Sequence, residues 1–232
     1  MTFDSVCVVG AGRVGTTLAA RLRERVPAWT TGRDLDCEGA ALVLLCVPDR
    51  AIADVARAVP SGPWIAHTSG TTSVSALAPH ARRFSLHPLQ TFTRARGPEQ
   101  LDGAWAAVSG ESESALAAGF ELARLLGVFP FELADEERPL YHAGAVVAAS
   151  FLVTLHEAAC ELFAAAGAPP EALEPLMRRT IENEFAPTGP HVRGDWETVA
   201  RHLDAIAERV PNIEPLYRAL TEATASMLAR TG

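Results

Sequence analysis

Gly10-Ala-Gly-Arg-Val-Gly15 is the segment that most narrows what this chain can fold into. It follows Ser5-Val-Cys-Val-Val9, a short β-branched apolar run. It precedes residues 16–25, where Leu18 and Leu22 recur at helical spacing. A strand, a glycine turn and a helix in that order build the phosphate corner of a dinucleotide-binding βαβ unit. Gly10 permits the tight turn, Gly12 lets backbone approach a pyrophosphate, and Gly15 allows the helix to pack closely on the strand. The helix start, at Arg13 and Val14, offers free N–H groups to the phosphates. The same corner can serve another nucleoside cofactor, such as S-adenosylmethionine, or no ligand at all; the expectation is a dinucleotide.

Further apolar runs at residues 29–31, 41–47, 64–66, 83–86, 104–108 and 128–133 read as strands, with helical spacing at 52–59, 74–78 and up to Leu126. This alternation predicts an α/β fold with a doubly wound parallel sheet. The crossover between Gly32 and Ala40 is too short for a full helix. After Asp135-Glu-Glu-Arg138 the pattern changes to four helical segments at 140–166, 171–185, 195–209 and 214–230. The expected division is a nucleotide-binding domain over 1–136 and an all-helical substrate and dimerisation domain over 137–232.

Charge and composition remove whole classes of partner. With 20 Lys+Arg against 28 Asp+Glu, a net charge of −8 and no block of like charge, neither nucleic acid nor an anionic membrane is expected as a partner. All the basic residues are Arg, so no lysine Schiff base, lysine acid or phosphate-loop lysine can operate. The cysteines, Cys7, Cys37, Cys46 and Cys160, form no CxxC pair or zinc-type spacing, and no metal is expected. Met-Thr-Phe-Asp-Ser lacks the basic start of a signal peptide. The uncharged stretch 139–155 reads as a buried core helix, too short and too rich in small and polar residues to span a bilayer. A cytoplasmic protein is the expectation.

The second strand ends in Thr30-Thr-Gly-Arg33-Asp34, where an NAD site carries an acid for the ribose. Arg33 suits the 2′-phosphate of NADP; a one-residue shift would make Asp34 the NAD acid instead. Ligands in open α/β sheets gather beyond the carboxyl ends of strands. Three polar clusters fall there: Pro48-Asp49, His67-Thr68-Ser69-Gly70, and His87-Pro-Leu-Gln-Thr91. Val47, Pro48, Asp49, His67 and Thr68 join Gly10, Gly12, Arg13, Val14, Gly15 and Arg33 as expected cofactor contacts. The catalytic candidates are His142, His87, Ser69, Tyr141, Ser150 and Arg193. His142 and Ser150, eight apart, fall on one face of a continuous helix, roughly 12 Å apart. Arg193 is placed to bind a substrate carboxylate.

VVGAGRVG, LLCVPDRAI, HTSG, SLHPLQTF, LYHAGAVVAASFLVTL and TGPHVRGDWETVARHL occur in that order along the chain. Together they resemble the bacterial Rossmann-like proteins that carry the C-terminal domain of unknown function 2520, grouped with 6-phosphogluconate dehydrogenase, pyrroline-5-carboxylate reductase and ketopantoate reductase folds. The resemblance implies a Rossmann-type domain, an all-helical second domain, NADP and a homodimer formed through the helices. Relatives use a catalytic lysine on the first helix of the second domain, and His142 is the residue nearest that place here. Where relatives tend to carry Asn, this chain aligns Ser150. The expected activity is NADPH-dependent reduction of a small carbonyl or imine, with a ketopantoate-like 2-oxo acid as one option. The alternatives are a non-catalytic NADP-binding sensor or protein-interaction module, and a deazaflavin-dependent oxidoreductase.

Overall fold

The computed structural model describes residues 3–231. Met1 and Thr2, on which part of the reading of the chain's start rests, lie outside them. The chain divides into two compact units, Met1–Val147 and Ala148–Gly232, so the division falls later than the change of sequence character near residue 136.

The first unit is built on one sheet of β1 (Val6–Val9), β2 (Ala28–Thr31), β3 (Leu42–Leu45), β4 (Trp64–His67), β5 (Arg83–Leu89), β6 (Trp105–Gly110) and β7 (Phe129–Glu132). Their order is β2-β1-β3-β4-β5-β6-β7. The first five strands run parallel, as their continuous apolar runs predict. The expectation of a wholly parallel sheet needs correction at one edge, because β6 pairs antiparallel with β5 and β7 follows β6 in parallel. The connection from β5 to β6 carries no long helix to return the chain to the same end, so β6 runs back.

Both faces of the sheet are covered, and strand alternation decides which residue meets which layer. Val6 and Val8 face α1 (Arg13–Arg23) and α3 (Glu113–Leu126), packed with Leu18, Leu22, Phe84 and Leu122. Cys7 and Val9 face the other way, with Ile52 and Ala56 of α2 (Ile52–Ala58). No helix joins β2 to β3, in keeping with the short crossover. Leu35 and Cys37 cover that part of the sheet instead. The segment expected as a helix at 74–78 is a single 3-10 turn, Val74–Leu77. The unit ends with α4 (Arg138–Ala148).

The second unit contains α5 (Ser150–Ala166), α6 (Leu173–Glu182), α7 (Pro190–Arg193), α8 (Trp196–Arg209) and α9 (Glu214–Thr231). Asp195 caps α8 as its sequence predicts, accepting the Thr198 N–H at 3.1 Å. The short α7 lies in what reads as a loop.

The helix expected over 140–166 is present as two segments. Ala149, at φ −118° and ψ −66°, interrupts it between α4 and α5. It is not buried, since Phe151, Leu152, Val153 and Leu155 are all exposed. The 139–155 stretch is also part of a longer apolar helical run, 135–166. That run reaches a mean hydropathy of 1.5 and is long and apolar enough to cross a membrane by length and composition.

Candidate functional site

The glycine corner occupies the switch point where β1 sits between β2 and β3. Gly10 has φ +112°, and a Cβ there would lie 2.5 Å from the Cys46 carbonyl oxygen. A Cβ on Gly15 would lie 2.0 Å from the Gly10 carbonyl oxygen, so helix and strand touch backbone to backbone. Gly12 is different. A Cβ there would meet no protein atom within 4 Å, so packing within the protein does not require glycine at that position. The open space lies at the start of α1, where no side chain caps the helix and its first turn holds no acid. A pyrophosphate fits this corner in both shape and charge.

Beside it, Val9, Gly10, Gly32, Arg33, Leu35, Val47 and Val55 line a largely apolar cleft of about 290 Å³. Arg33 is exposed, with no hydrogen bond or ion pair among the described residues. Asp34 is engaged locally, its Oδ1 accepting the Thr31 hydroxyl at 2.9 Å and the Gly32 N–H at 3.0 Å. Those donors hold its carboxyl below the usual carboxylate range.

At the end of β4, Asp49 accepts the Ser69 hydroxyl at 2.7 Å. Ser69 also donates its N–H to His67 Nδ1 at 3.3 Å, which leaves Nε2 to donate to the Ser73 carbonyl at 3.4 Å. His67 is wholly buried, and burial first, then the Arg138 charge, pushes it down to about 4. Both ring nitrogens are therefore held by the chain. Its side chain braces the turn after β4. Thr68 hydrogen-bonds the Leu45 carbonyl through its N–H at 3.2 Å, tying β4 to β3. Val47 lines the apolar cleft, while Pro48 sits exposed just after β3.

The end of β5 meets the start of α4 over Gly70. His87 Nδ1 and the Tyr141 hydroxyl are 2.7 Å apart. The His87 and His142 rings meet edge to face at 5.8 Å between centroids. Both histidines lean over Gly70. A Cβ there would lie 2.3 Å from His142 Cδ2, 3.0 Å from His87 Nε2 and 3.1 Å from His142 Nε2. Burial, then the neighbouring His142, lowers His87 to about 4, so it is neutral at pH 7. Burial raises the Tyr141 phenol to about 12 and keeps it protonated.

Arg138 positions this helix start, and the sequence reading passed over it as part of a charged run. It is fully buried. Its Nη1 donates to Ser85 Oγ at 2.6 Å and Ser109 Oγ at 3.0 Å, and its Nη2 donates to the Ser69 carbonyl. Asp135, 3.8 Å from Nε, accepts the Val74 N–H at 3.0 Å and fixes the same joint. Buried hydroxyls on β5 and β6 are the one sequence signal that could have called for such a cation.

The structure thus brings His87, Tyr141, His142 and Ser69 together around Gly70 in the first unit. Ser150 and Arg193 are exposed residues of the second unit, at the start of α5 and the end of α7. His142 lies on α4 and Ser150 opens α5, on either side of Ala149. Among the described residues, no group of three or more His, Cys, Asp or Glu could hold a metal ion.

The model of the Domain of unknown function (DUF2520) matches residues 104–224, just over half the chain. No curated protein sequence matches this one. Among solved structures, the chain is similar to a candidate NADP oxidoreductase from Bacteroides fragilis. They share 20% identity, coverage is 97% of this chain and 98% of that one, and the TM-score is 0.77. A protein from Thermotoga maritima shares 22% identity over 97% and 99% of the chains at the same TM-score. The 1-pyrroline-5-carboxylate reductase of Streptococcus pyogenes shares 13% over 96% and 98%, with a TM-score of 0.63. At these identities the likeness establishes the fold: a Rossmann-type sheet followed by helices.

Proposed function

The chain belongs to the family of the Domain of unknown function (DUF2520), and within it we propose an NADPH-dependent oxidoreductase that reduces a small carbonyl or imine. The observation that carries this reading is the convergence of His87, Tyr141 and His142 over Gly70, at the same carboxyl edge of the sheet as the glycine corner. Three strand spacings, roughly 14 Å, separate β1 from β5, a span suited to an extended dinucleotide.

The corner at Gly12 and the N–H groups of Arg13, Val14 and Gly15 hold the pyrophosphate, and the cleft lined by Val9, Leu35 and Val47 takes the adenosine. Arg33 reaches the 2′-phosphate, because it is free while Asp34 is engaged with Thr31 and Gly32. When bound, the dihydronicotinamide supplies a hydride. The protein must then stabilise charge on the substrate oxygen or nitrogen. Tyr141 donates to His87 Nδ1, which places the ring proton on Nε2. A neutral His87 is thereby a hydrogen-bond donor to the developing anion. His142, beside it, delivers the proton.

The second unit is proposed to pair with a second copy of the chain through its exposed apolar helices. His156, Glu157 and Glu161 along α5 would be costly in lipid. Among the solved structures, a reductive aminase from Aspergillus terreus is described in complex with NADPH and ethyl levulinate, at 16% identity and a TM-score of 0.61. That pairing of cofactor and carbonyl fits the substrate class proposed here.

The test is loss of NADPH absorbance with a panel of oxo acids, cyclic imines and aldehydes. His142→Gln is expected to lower kcat at least ~100-fold with NADPH affinity nearly unchanged. A loss under fivefold places the acid elsewhere. Tight NADPH binding with no turnover on any member of the panel favours the sensor.

A further inference from the structure

We infer that Cys7 and Cys37 form an oxidisable dithiol, which a hydroperoxide closes to a disulfide that locks the crossover between β2 and β3 onto β1. Cys7 points from β1 toward the face shared by α2 and the crossover between β2 and β3, and Cys37 comes down on it from that crossover. Their sulfurs are 2.6 Å apart, much nearer the ~2.05 Å of a disulfide than ordinary packing of two small apolar side chains requires. The thiols are thirty residues apart in sequence and both free.

Their surroundings give them different parts. Cys7 is wholly buried on a central strand. Cys37 is also buried but keeps 8% of its surface exposed and lines a cleft of about 420 Å³ with Leu35, Asp36, Glu38, Val59 and Pro60. A small oxidant meets Cys37 first. The hydrogen bond between the two sulfurs lowers the Cys37 thiol and raises that of Cys7, whose S–H also reaches the Asp36 carbonyl at 3.5 Å.

The Cys37 thiolate attacks one oxygen of the hydroperoxide and breaks the O–O bond, giving a sulfenic acid. The departing alkoxide or hydroxide takes a proton and leaves as alcohol or water. The Cys7 sulfur then attacks the sulfenic sulfur, and the hydroxyl leaves as water with the Cys7 proton. Two thiols lose two electrons and two protons, and the hydroperoxide is reduced by two electrons. A dithiol reductant reverses the step.

The bond would add a covalent tie to a segment now held by hydrogen bonds and packing alone. Leu35, two residues from Cys37, has φ +49° and lines the cleft beside the glycine corner, as does Arg33. The Asp36 carbonyl is held by Trp29 Nε1 at 2.9 Å. The cross-link needs no cofactor, so its test is independent of the proposed reaction.

The full-length chain is treated with stoichiometric hydrogen peroxide, quenched in acid and alkylated, then mapped by mass spectrometry. The expected result is two alkylatable thiols instead of four, a peptide joining Cys7 to Cys37, and full recovery after dithiothreitol. Amide exchange over 34–39 is expected to slow at least ~10-fold in the oxidised form. In Cys37→Ser all three remaining thiols should stay alkylatable, and in Cys7→Ala a sulfenic acid should be trapped at Cys37 by dimedone. Four persistent thiols, or a link through Cys46 or Cys160, overturns the assignment. Unchanged exchange with the link formed overturns the locking.

Discussion

The two compact units dispose of their apolar residues in opposite ways. In the first, β1, β3 and β4 are buried along their whole length, and helices or a loop close both faces of the sheet. In the second, Leu173, Val199, Ile206 and Val210 are buried, while Phe151, Val153, Leu176 and Phe185 stand more than half exposed. A parallel sheet cannot leave a face open, because its strands are apolar on both sides. A set of helices can leave an apolar stripe unmatched, and does so when another surface is meant to cover it. The first unit thus closes its apolar surface within one chain, and the second leaves part of its own open; under the function proposed above, chemistry falls to the first and assembly to the second.

Substitutions in the two units should accordingly read out differently. The largest effect is expected at the cluster over Gly70. His87→Ala should lower kcat by about 10³-fold, within the range for a positioned proton-transfer or donor group, with the oligomer intact by light scattering. A kcat within threefold of the parent would break the assignment of chemistry to the first unit. Next, Phe151→Arg with Val153→Glu should convert the proposed dimer to a species near the 24.6 kDa chain mass. NADPH affinity should stay within threefold. A variant that remains dimeric would mean that another surface of the chain pairs.

Acid should act on the first unit. His67 is lowered in the fold to about 4 from an unfolded value near 6.5. The unfolded chain binds the proton first, so stability is complete above about pH 6.5 and falls as pH drops toward 4. For a wholly buried group this loss reaches roughly 3 kcal/mol; His87 acts in the same direction. Denaturant midpoints across that range check the slope, and His67→Asn should flatten it. A flat parent profile would show that neither histidine is held neutral.

The smallest effect separates two glycines of one motif. Gly12→Ala should keep stability within about 0.5 kcal/mol, because its Cβ meets nothing. It should weaken NADPH about 10-fold, or 1.4 kcal/mol. Gly15→Ala should instead destabilise the fold by about 1–3 kcal/mol or more through collision with the Gly10 carbonyl. Equal effects on binding and stability in both variants would remove the ligand reading of Gly12. A comparable step should appear at the other end of the nucleotide, where Arg33→Ala is expected to remove a ~10-fold preference for NADPH over NADH, read by calorimetry.

What could be read from the sequence was local. The glycine corner announces itself because strand, turn and helix occupy adjacent residues, and the strand ends follow from runs that stop at Pro48, Gly70 and Pro88. His67 shows the limit of that reading. It shares a strand end with Ser69, yet its side chain points inward, a fact fixed by packing and not by position along the chain. The His87–Tyr141 contact joins residues 54 apart, and no periodicity connects them. The exposed 139–155 stretch misled for a different reason. Small apolar residues look alike in a core helix and in an uncovered one, since hydropathy records what a residue prefers and not whether the chain supplies it.

Arg138 has a consequence for the order in which the molecule is made. Its guanidinium draws on Ser85 of β5, Ser109 of β6 and the Ser69 carbonyl just past β4. Those three acceptors come together only when β5 has paired with both neighbours. Until then a cation at that depth would be desolvated without partners, at a cost of several kcal/mol. The first residue of α4 is therefore expected to dock only once β4, β5 and β6 are paired, and Tyr141 and His142 arrive with it.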